Sequence, residues 1–593
     1  MQHRQHTVLL PLIVSVACWQ TPAAASDTSW VDRSNAHAQI VLEAFARFEP
    51  EQAAAIGVDG LDELITDLKP GRYERELADS ETVLAELEKR LEGETDRRVR
   101  QDLGILIKAV TDGMRTARLN REYMLPYFNL SQSVFGGVRA LIDVQIPRER
   151  YPAAIVRIKR YAGLEEGFTP LAMLARGRTT ERFDVGALIG PYRGQVEQDL
   201  ERAETFITGI GQLLEGTDLQ GWQQPYETLA GQLRDYNRWL GDELLARARD
   251  DYRLPPVMYE DALRNWGVEA SPEDLIQQAT QAYMDIRNEM IALAPIVAKE
   301  KGYASTDYRD VIRELKEDGP IDGDEILDHY HSVLKKIEDI IVRERIISLP
   351  ERDAGIRIAS AAETAAQPAP HLDVPRLIGN TGEYPDFVIP QLEQYDDGSW
   401  QQTDDTYEAG AWTLTAHEAR PGHEMQFSSM IEAGVSITRA IFAFNSVNVE
   451  GWGLYAEAIA KPYMPLEGQL ISLQYRLMRA ARMFLDPMLN LGLITPEEAK
   501  SLIMEDIGIG ESWAQNEIER YTYRIPGQAA AYYFGYTKLQ ALRAQTELAL
   551  RGDFDQQSFH DFILAQGMLP PELLKKAVME DFVPAQRSSA PEG

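Results

Sequence analysis

The segment from residue 417 to 424 reads HEARPGHE and combines the side chains from which a zinc hydrolase is built. Such a site needs two or three neutral imidazoles, a carboxylate ligand, an open position for water and a base beside that water. His417 and His423 are candidate ligands, and Glu418, which follows the first of them, fits the general base. The alternative interpretation is a polar helix end that only has the composition of a metal site.

The spacing within this segment predicts an interrupted helix. Six positions along a regular helix turn the side chain by about 240°, so His417 and His423 could not reach one ion. A bulge or break must therefore lie between them, and Pro421 and Gly422 are residues that permit one. Glu424, seven positions after His417, returns to nearly the same helical face. It is a candidate ligand, or a carboxylate that orients an imidazole.

A further ligand is expected from a second helix. Residues 448–460 read NVEGWGLYAEAIA, and Glu450 and Glu457 are seven apart, so they share a helical face that is otherwise largely apolar. A carboxylate buried on such a face is costly unless it is paired, and metal ligation would explain it. The alternative is that both acids are solvated and only the apolar side of the helix is buried.

Tyrosines and arginines crowd into residues 516–539, NEIERYTYRIPGQAAAYYFGYTKL. A hydroxyl from Tyr532 or Tyr536 could stabilise a developing oxyanion, and Arg520 or Arg524 could bind a substrate carboxylate in two-pronged fashion. The alternative for each tyrosine is a core position packed by its apolar ring. We expect at least one of the two tyrosines to be functional.

The elements that must position these residues are predicted to be mainly α-helices. Ser271 and Thr495 each precede a proline and acidic residues, which is typical of a capped helix start. Residues 80–94 carry an apolar stripe at helical spacing, with Ser80 as a possible N-cap. Long charged helical stretches fill about residues 28–350, and helices resume near residue 408.

Between these helical parts lies a stretch rich in proline, glycine and alanine. It contains one short β-like run, residues 387–389, bounded by prolines. Proline at such a run predicts an edge strand, which could pair with an extended peptide. A plain connecting loop with a short strand is the alternative.

The overall composition limits the classes of molecule that this protein is expected to bind. The 593 residues carry a net charge of −33, which argues against a nucleic-acid partner, because phosphates require lysine and arginine surfaces. No later stretch is long and apolar enough to span a membrane. The expected partner is a peptide or small amide substrate, and the oligomeric state is not determined by the sequence.

The amino terminus reads as a cleaved targeting segment. Arg4 precedes an apolar run and small residues, with cleavage expected after Ala25. Cys18, the only cysteine, lies inside this segment, so the mature chain can form no disulfide. A lipoprotein anchored through Cys18 is the second interpretation, and either predicts a periplasmic or secreted protein. The predicted divisions are a signal peptide (1–25), a helical N-terminal region (27–354), a catalytic region (355–583) and a flexible tail (584–593).

Five segments carry a resemblance to a known family. They are HEARPGHEMQF, VEGWGLYAE, RLMRAARMFLDPMLNLGLITPEEA, EIERYTYRIPGQAAAYYFGYTKLQALR and GDFDQQSFHDFILAQGMLPPELL. In this order they resemble the bacterial family labelled domain of unknown function 885 (DUF885), grouped with gluzincin-type metallopeptidases. The resemblance implies a large, mainly α-helical, metallopeptidase-like fold with a deep cleft and a small β element near the active site.

The resemblance also implies roles for single residues. His417, His423 and Glu450 would hold one zinc ion per chain, and Glu418 would be the general base. Tyr532 and Tyr536 compete for the role of the tyrosine that assists the tetrahedral intermediate. Arg520 and Gln528 match recurrent family positions expected around the substrate. The residues themselves, without the resemblance, add Arg524 as a candidate for substrate binding and Glu424 and Glu457 as candidates for orienting the ligands.

The chain departs from its relatives at two positions. Glu424 stands where many relatives have a second histidine, which favours His423 as the ligand. Asn490 stands where relatives tend to have histidine, which affects specificity if that histidine takes part in their chemistry.

The sequence therefore predicts an exported zinc metallopeptidase that hydrolyses short or unfolded peptides, with Glu418 as the base. Internal, carboxypeptidase and dipeptidase cleavage remain open. A hydrolase of non-peptide amides is one alternative. The other is a catalytically inactive peptide-binding protein on the same scaffold.

Overall fold

The computed structural model describes residues 29–142, 145–380, 382–395 and 399–589. The predicted signal peptide, with Cys18, lies outside the described residues, as does the end of the predicted tail from residue 590. The described part of that tail is helical, because the last helix ends at Ser589 and Arg587 Nη2 donates to the Ala549 carbonyl at 2.8 Å. The flexibility of this tail stays a prediction. Within the described ranges, none of the helices combines the length and apolarity that a bilayer span requires.

The described part of the chain is mainly helical, as predicted. The helices before the sheet are α1 (Ser29–Ala46), α2 (Pro50–Ala55), α3 (Arg72–Gly93), α4 (Arg97–Tyr123), α5 (Leu130–Arg139), α6 (Pro152–Tyr161), α7 (Leu171–Thr180), α8 (Arg193–Glu215), α9 (Gln223–Trp239), α10 (Pro256–Asn265), α11 (Pro272–Lys301), α12 (Tyr308–Asp318) and α13 (Ile326–Arg343). The sheet region contains β1 (Gly355–Ile358), α14 (Ala361–Ala366), β2 (His371–Asp373) and β3 (Asp386–Ile389).

The helices after the sheet carry the candidate site. They are α15 (Glu408–Glu418), α16 (His423–Ala433), α17 (Ser446–Ala460), α18 (Leu466–Asn490), α19 (Pro496–Ser501), α20 (Glu511–Glu519), α21 (Ala530–Leu550), α22 (Gln556–Leu564), α23 (Pro571–Ala577) and α24 (Val583–Ser589). A π-helical turn, Arg520–Arg524, continues α20.

Two of the three predicted helix starts are confirmed. The Ser271 side chain accepts a hydrogen bond from the Asp274 amide, and Thr495 forms a full capping box with Glu498. Ser80 is no N-cap, because α3 begins eight residues earlier and the Ser80 hydroxyl donates to the Glu76 carbonyl inside the helix. The stripe itself faces inward, with Val83 and Leu87 buried and Leu84 and Leu91 half-buried.

The small β element is a three-stranded sheet with the order β1-β3-β2. Strand β3 runs parallel to β1 and antiparallel to β2, so it is the central strand and the predicted edge position is wrong. The prolines that suggested an edge, Pro385 and Pro390, lie just outside the strand, so every amide from 386 to 389 can join a ladder. Both sides of β3 are therefore closed to an extended peptide.

The core is organised around α18. Almost every residue of this helix is buried, and α11, α15 and α21 all pack against it. The same apolar cluster includes residues of α11–α13 and of α15–α23, so it extends across the predicted boundary at residue 355. A second apolar cluster lies among α5–α9. The division into a helical and a catalytic region stays a prediction.

Candidate metal centre

The HEARPGHE segment forms two helices joined by a tight turn. Helix α15 ends at Glu418 and α16 begins at His423, with residues 419–422 between them. A Cβ at Gly422 would lie 1.8 Å from the His417 carbonyl oxygen, so the turn accepts only glycine there. The break releases the two histidines from the angular relation that a continuous helix would impose.

A side chain of the next helix closes the turn. Trp452 of α17, fully buried, donates its indole N–H to the carbonyls of Pro421 (3.0 Å) and Gly422 (3.2 Å). The Gly422 carbonyl also accepts from the Gln426 amide at 3.1 Å, so the indole supplies a second donor there and a donor to the Pro421 carbonyl, and an unpaired buried carbonyl would be costly. The indole thereby fixes the turn against the helix that carries Glu450.

The two imidazoles converge on Glu450. His417 Nε2 lies 3.5 Å from Glu450 Oε2, and His423 Nε2 lies 3.4 Å from the same oxygen. One donor atom from each residue lies within 4.8 Å of the others. For comparison, two ligands at about 2.1 Å from a tetrahedral zinc ion are about 3.4 Å apart. His417 and His423, only 2% and 5% exposed, thus form with Glu450 a triad that could hold a metal ion.

The hydrogen bonding around the triad fits such an ion. Glu450 Oε2 is buried and has no hydrogen-bond partner within the described chain. Leaving a buried carboxylate oxygen unsatisfied costs free energy, which a bound cation would offset. Two nitrogen donors and one oxygen donor are also a ligand set that zinc accepts.

Both imidazoles are oriented through their other nitrogen. His417 Nδ1 lies 2.7 Å from Glu457 Oε1, and His423 Nδ1 lies 3.3 Å from Gln426 Oε1. A carboxylate only accepts, so Glu457 assigns the His417 proton to Nδ1 and leaves Nε2 free as a ligand. The other Glu457 oxygen accepts from Thr413 Oγ1 at 2.9 Å. Glu457, predicted to orient a ligand, lies where it can do so.

Gly453 lets α17 approach the two rings. A Cβ at this position would lie 2.6 Å from His417 Cε1 and 2.9 Å from His423 Cε1. Any side chain would push the rings off Glu450. Sequence reasoning missed this glycine, although its place inside a helix, between two predicted functional glutamates, was a usable signal.

Charge coupling within the triad is strong. Burial lowers the pKa of His417, but the neighbouring carboxylates of Glu450 and Glu457 outweigh burial and raise that pKa to about 9. Burial raises the pKa of Glu450, whereas the two imidazoles of His417 and His423 lower that pKa well below the usual value. These directions show that the cluster favours a positive charge between the two imidazoles and Glu450.

Glu418 has the properties of a free base beside the triad. It is 8% exposed, and its carboxylate makes no hydrogen bond or ion pair with the described residues. Its charge helps to raise the pKa of His417, which places it near the imidazole.

Glu424 does not orient an imidazole, contrary to the prediction. It is fully buried, and its carboxylate contacts Arg420 Nε (2.8 Å), Arg352 Nη2 (2.5 Å) and Ser428 Oγ (3.0 Å). The break at residues 419–422 is the reason, since it changes the helical phase that would have brought Glu424 back to the face of His417.

The two candidate tyrosines occupy different places. The Tyr532 ring lies 6.3 Å from the His417 ring at an angle of 17°, and its hydroxyl accepts from Arg520 Nη2 at 2.8 Å. Tyr536 is one turn further along α21, and its hydroxyl accepts from Gln540 Nε2 at 3.2 Å. Of the two, Tyr532 is the one in contact with a triad residue.

Gln528 and Arg520 form a chain that reaches Glu450. Gln528 Nε2 donates to Ser446 Oγ (2.8 Å) and lies 3.4 Å from Glu450 Oε1. Arg520 Nε donates to Gln528 Oε1 at 3.1 Å. Both predicted residues therefore lie at the triad and position Glu450 and Tyr532.

Arg524 lies in a different environment. Its guanidinium pairs with Glu519 (2.8 Å) and donates to Asn516 (3.1 Å) and Gln198 (2.8 Å). Gln198 belongs to α8, so Arg524 ties the N-terminal helices to α20. These contacts occupy the side chain that was expected to bind substrate.

Asn490 lies in a buried scaffold. Its Nδ2 donates to the Tyr521 carbonyl (3.0 Å) and to Asp486, whose carboxylate accepts from the Gly527 amide (3.0 and 2.9 Å) and the Tyr259 hydroxyl (2.9 Å). Burial raises the pKa of Asp486 to about 7. Asn490 thus helps to hold the turn that leads to Gln528.

Sequence reasoning also missed a row of arginines on α18, which packs behind the site. Arg476, Arg479 and Arg482 are all buried. Their spacing of three residues is visible in the sequence, but nothing in the sequence indicates which of them is paired.

The chain belongs to the family described as "Bacterial protein of unknown function (DUF885)", whose model matches residues 50–578. None of the curated proteins matches it.

Solved structures share the fold. A candidate lipoprotein from Colwellia psychrerythraea is 19% identical, with a TM-score of 0.75 over 93% of this chain and 99% of that one. A candidate lipoprotein of unknown function from Shewanella oneidensis is 16% identical, with a TM-score of 0.70 over the same shares. A candidate oligoendopeptidase F from Bacillus anthracis has a TM-score of 0.26, at which no shared fold follows.

Proposed function

We propose that this chain is a zinc metallopeptidase that hydrolyses peptide bonds of short or unfolded peptides, with one zinc ion per chain. The observation that carries the proposal is the convergence of His417 and His423 on a Glu450 oxygen that has no other partner. A buried cluster of this kind is stable only with a cation or a trapped proton, and its donor set suits zinc.

His417, His423 and Glu450 would hold the ion, and Glu457 would keep the His417 proton on Nδ1. When bound, zinc would lower the pKa of a water molecule and polarise a substrate carbonyl. Gly453 keeps the two rings in place by leaving the space that they occupy.

Glu418 would take the proton from the attacking water and deliver it to the leaving amine. Its carboxylate is suited to this task because no protein group within the described residues neutralises it. Its position directly after a ligand, at the end of α15, keeps it beside the reacting water.

Tyr532 would donate a hydrogen bond to the developing oxyanion. Because Arg520 donates to the Tyr532 oxygen, the tyrosine's own proton remains available for the substrate. Burial raises the pKa of Tyr532, although Arg520 opposes the shift, so the hydroxyl stays protonated at neutral pH. Arg520 and Gln528 act by positioning Tyr532 and Glu450.

We also propose export to the periplasm or beyond. The targeting segment of residues 1–25 supports it, and so does the description of two structural relatives as candidate lipoproteins. Cys18 would be the lipidated residue if the lipoprotein alternative holds. A hydrolase of non-peptide amides and an inactive peptide-binding protein remain the alternatives, and the free carboxylate of Glu418 favours activity.

The test replaces only the base. Glu418→Gln in residues 27–593 should keep about one zinc per chain but lower kcat on a peptide library by at least about 100-fold. The control is Glu166→Gln, which removes an exposed carboxylate and should leave activity unchanged.

Three results would count against the proposal. An active Glu418→Gln protein would remove Glu418 from the chemistry. Bound zinc without cleavage of any peptide would favour a non-peptide amide substrate. A wild-type protein that binds peptides, but neither binds zinc nor cleaves the peptides, would favour the inactive peptide-binding protein.

A further inference from the structure

Three buried arginines follow one another along α18 at intervals of three residues: Arg476, Arg479 and Arg482. Each step advances about 4.5 Å along the helix. The row faces α17, α20 and α21, which carry the residues that the three arginines contact: Glu457, Glu517 and Tyr536. Burying three guanidinium groups next to one another requires anions to compensate them.

Two of the three arginines have such anions. Arg482 makes a two-pronged ion pair with Glu517, at 2.7 and 2.6 Å. Arg479 lies 3.5 Å from Glu457, and its Nη1 donates to the Tyr475 carbonyl at 3.3 Å.

Arg476 has none. It is 8% exposed, and its guanidinium makes no hydrogen bond or ion pair with any residue that the structure describes. Both Nε and Nη2 are buried without a partner. Its guanidinium carbon lies 5.4 Å from the centroid of the Tyr536 ring. Stacking of this kind leaves the in-plane N–H groups free for a carboxylate.

The place of Arg476 relative to the triad follows from two helices. On α18 it is one turn from Arg479, which contacts Glu457, the carboxylate that orients His417. On α21 its partner Tyr536 is one turn from Tyr532, which stacks on His417. Arg476 therefore lies about one helical turn, or about 5 Å, beyond the residues that support the metal centre.

We infer that Arg476 is the centre of an anion-binding subsite next to the metal centre, which takes a carboxylate of the substrate. The inference rests on the proposed function, which supplies a peptide as the ligand. A peptide offers this group as its free C-terminus or as an acidic side chain. Recognition of the C-terminus limits cleavage to bonds near that end, whereas recognition of a side chain allows internal cleavage.

Binding tests the subsite without turnover. The probes are N-acetylated alanine tetrapeptides that end in a free acid or in an amide, with a third amidated peptide that contains one glutamate. Their affinities are measured by calorimetry on zinc-loaded Glu418→Gln protein, with and without Arg476→Met. A charge-assisted hydrogen bond predicts about tenfold or more tighter binding of the carboxylate-bearing peptide.

Arg476→Met should reduce this preference to about one, and Arg476→Lys should keep part of it. If Arg476→Met loses a preference for the free-acid peptide, the subsite binds the C-terminal carboxylate of the substrate. If Arg476→Met instead loses a preference for the glutamate-containing peptide, the subsite binds an acidic side chain of the substrate. In the active protein the same discrimination should appear in KM rather than in kcat.

The inference is overturned if Arg476→Met binds the acid and amide peptides in the same ratio as the parent protein, or if the parent protein prefers neither carboxylate. A purely structural role of Arg476 would lower stability but would not change that ratio. Because the calorimetric readout needs no hydrolysis, an inactive protein that discriminates through Arg476 would contradict the proposed function but not the subsite.

Discussion

The eight residues from 417 to 424 build two buried polar clusters that differ in how their charges are satisfied. In the guanidinium network, Arg420 pairs with Glu424 (2.8 Å) and Glu338 (2.6 Å), and Arg352 contacts Glu424 as well. In the triad, His417 and His423 face a Glu450 oxygen that has no hydrogen-bond partner within the described chain.

This difference in charge compensation distinguishes the guanidinium network, which is part of the scaffold, from the triad, which is the candidate site. The guanidinium network compensates every buried charge with protein groups, so it can only stabilise the turn that it surrounds. The triad leaves a buried carboxylate oxygen without a hydrogen-bond donor, and such an arrangement persists when a trapped proton or a bound cation supplies positive charge. The same contrast holds on α18, where Arg482 is paired with Glu517 and Arg476 is not.

Breaking the guanidinium network should cost the most stability. Arg420→Ala leaves the fully buried Glu424 with one guanidinium, that of Arg352, beside the Ser428 hydroxyl, and we expect the free energy of unfolding to fall by about 3 kcal/mol. Urea denaturation measures this. Zinc content of the folded variant should stay at about one per chain. The matched control is Arg343→Ala, whose side chain is 60% exposed and should change stability by less than about 0.5 kcal/mol. Equal stability of the two variants would contradict the contrast between the clusters.

Removing a support of the triad should weaken the metal without abolishing it. Glu457→Gln no longer accepts the His417 proton as a carboxylate, so zinc affinity should fall by about 10- to 100-fold. Competition with a zinc chelator measures the affinity, and excess zinc should restore full occupancy. Unchanged affinity would mean that Glu457 only packs the core.

A third type of buried carboxyl sharpens the comparison. Asp486 is satisfied by neutral donors, the Gly527 amide and the Tyr259 hydroxyl, and burial raises its pKa from the usual value near 4 to about 7. The folded state therefore binds the Asp486 proton more tightly than the unfolded state. Its contribution to stability is fully present below about pH 4 and is lost as pH rises to about 7.

Asp486→Asn removes this titration. The stability of the wild-type protein relative to this variant should decline between about pH 4 and pH 7 by at least about 1.4 kcal/mol, which corresponds to one pKa unit. Unfolding free energies measured across this range test it. A difference that stays constant with pH would show that Asp486 is charged in the fold.

Local chemistry allowed part of this arrangement to be predicted. Spacing required a break between His417 and His423, and the cost of burying Glu450 and Glu457 on an apolar face indicated ligation or pairing. Glu424 was misplaced because the extent of the break sets the helical phase after it, and only the folded turn determines that extent.

Long-range features could not be predicted. Strand β3 becomes central only because β1 and β2 meet on its two sides, and no local pattern encodes that. Arg476 differs from Arg482 only in what its neighbours from other helices offer. A missing partner cannot be read from spacing within one helix.

One measurement tests the central claim most directly: the zinc content of residues 27–593, by mass spectrometry, beside that of a His417→Ala, His423→Ala double variant. The account predicts about one zinc per chain in the first protein and none in the second, with Arg343→Ala retaining its zinc. A wild-type protein that stays free of zinc after zinc is supplied, or a double variant that keeps it, would contradict the account.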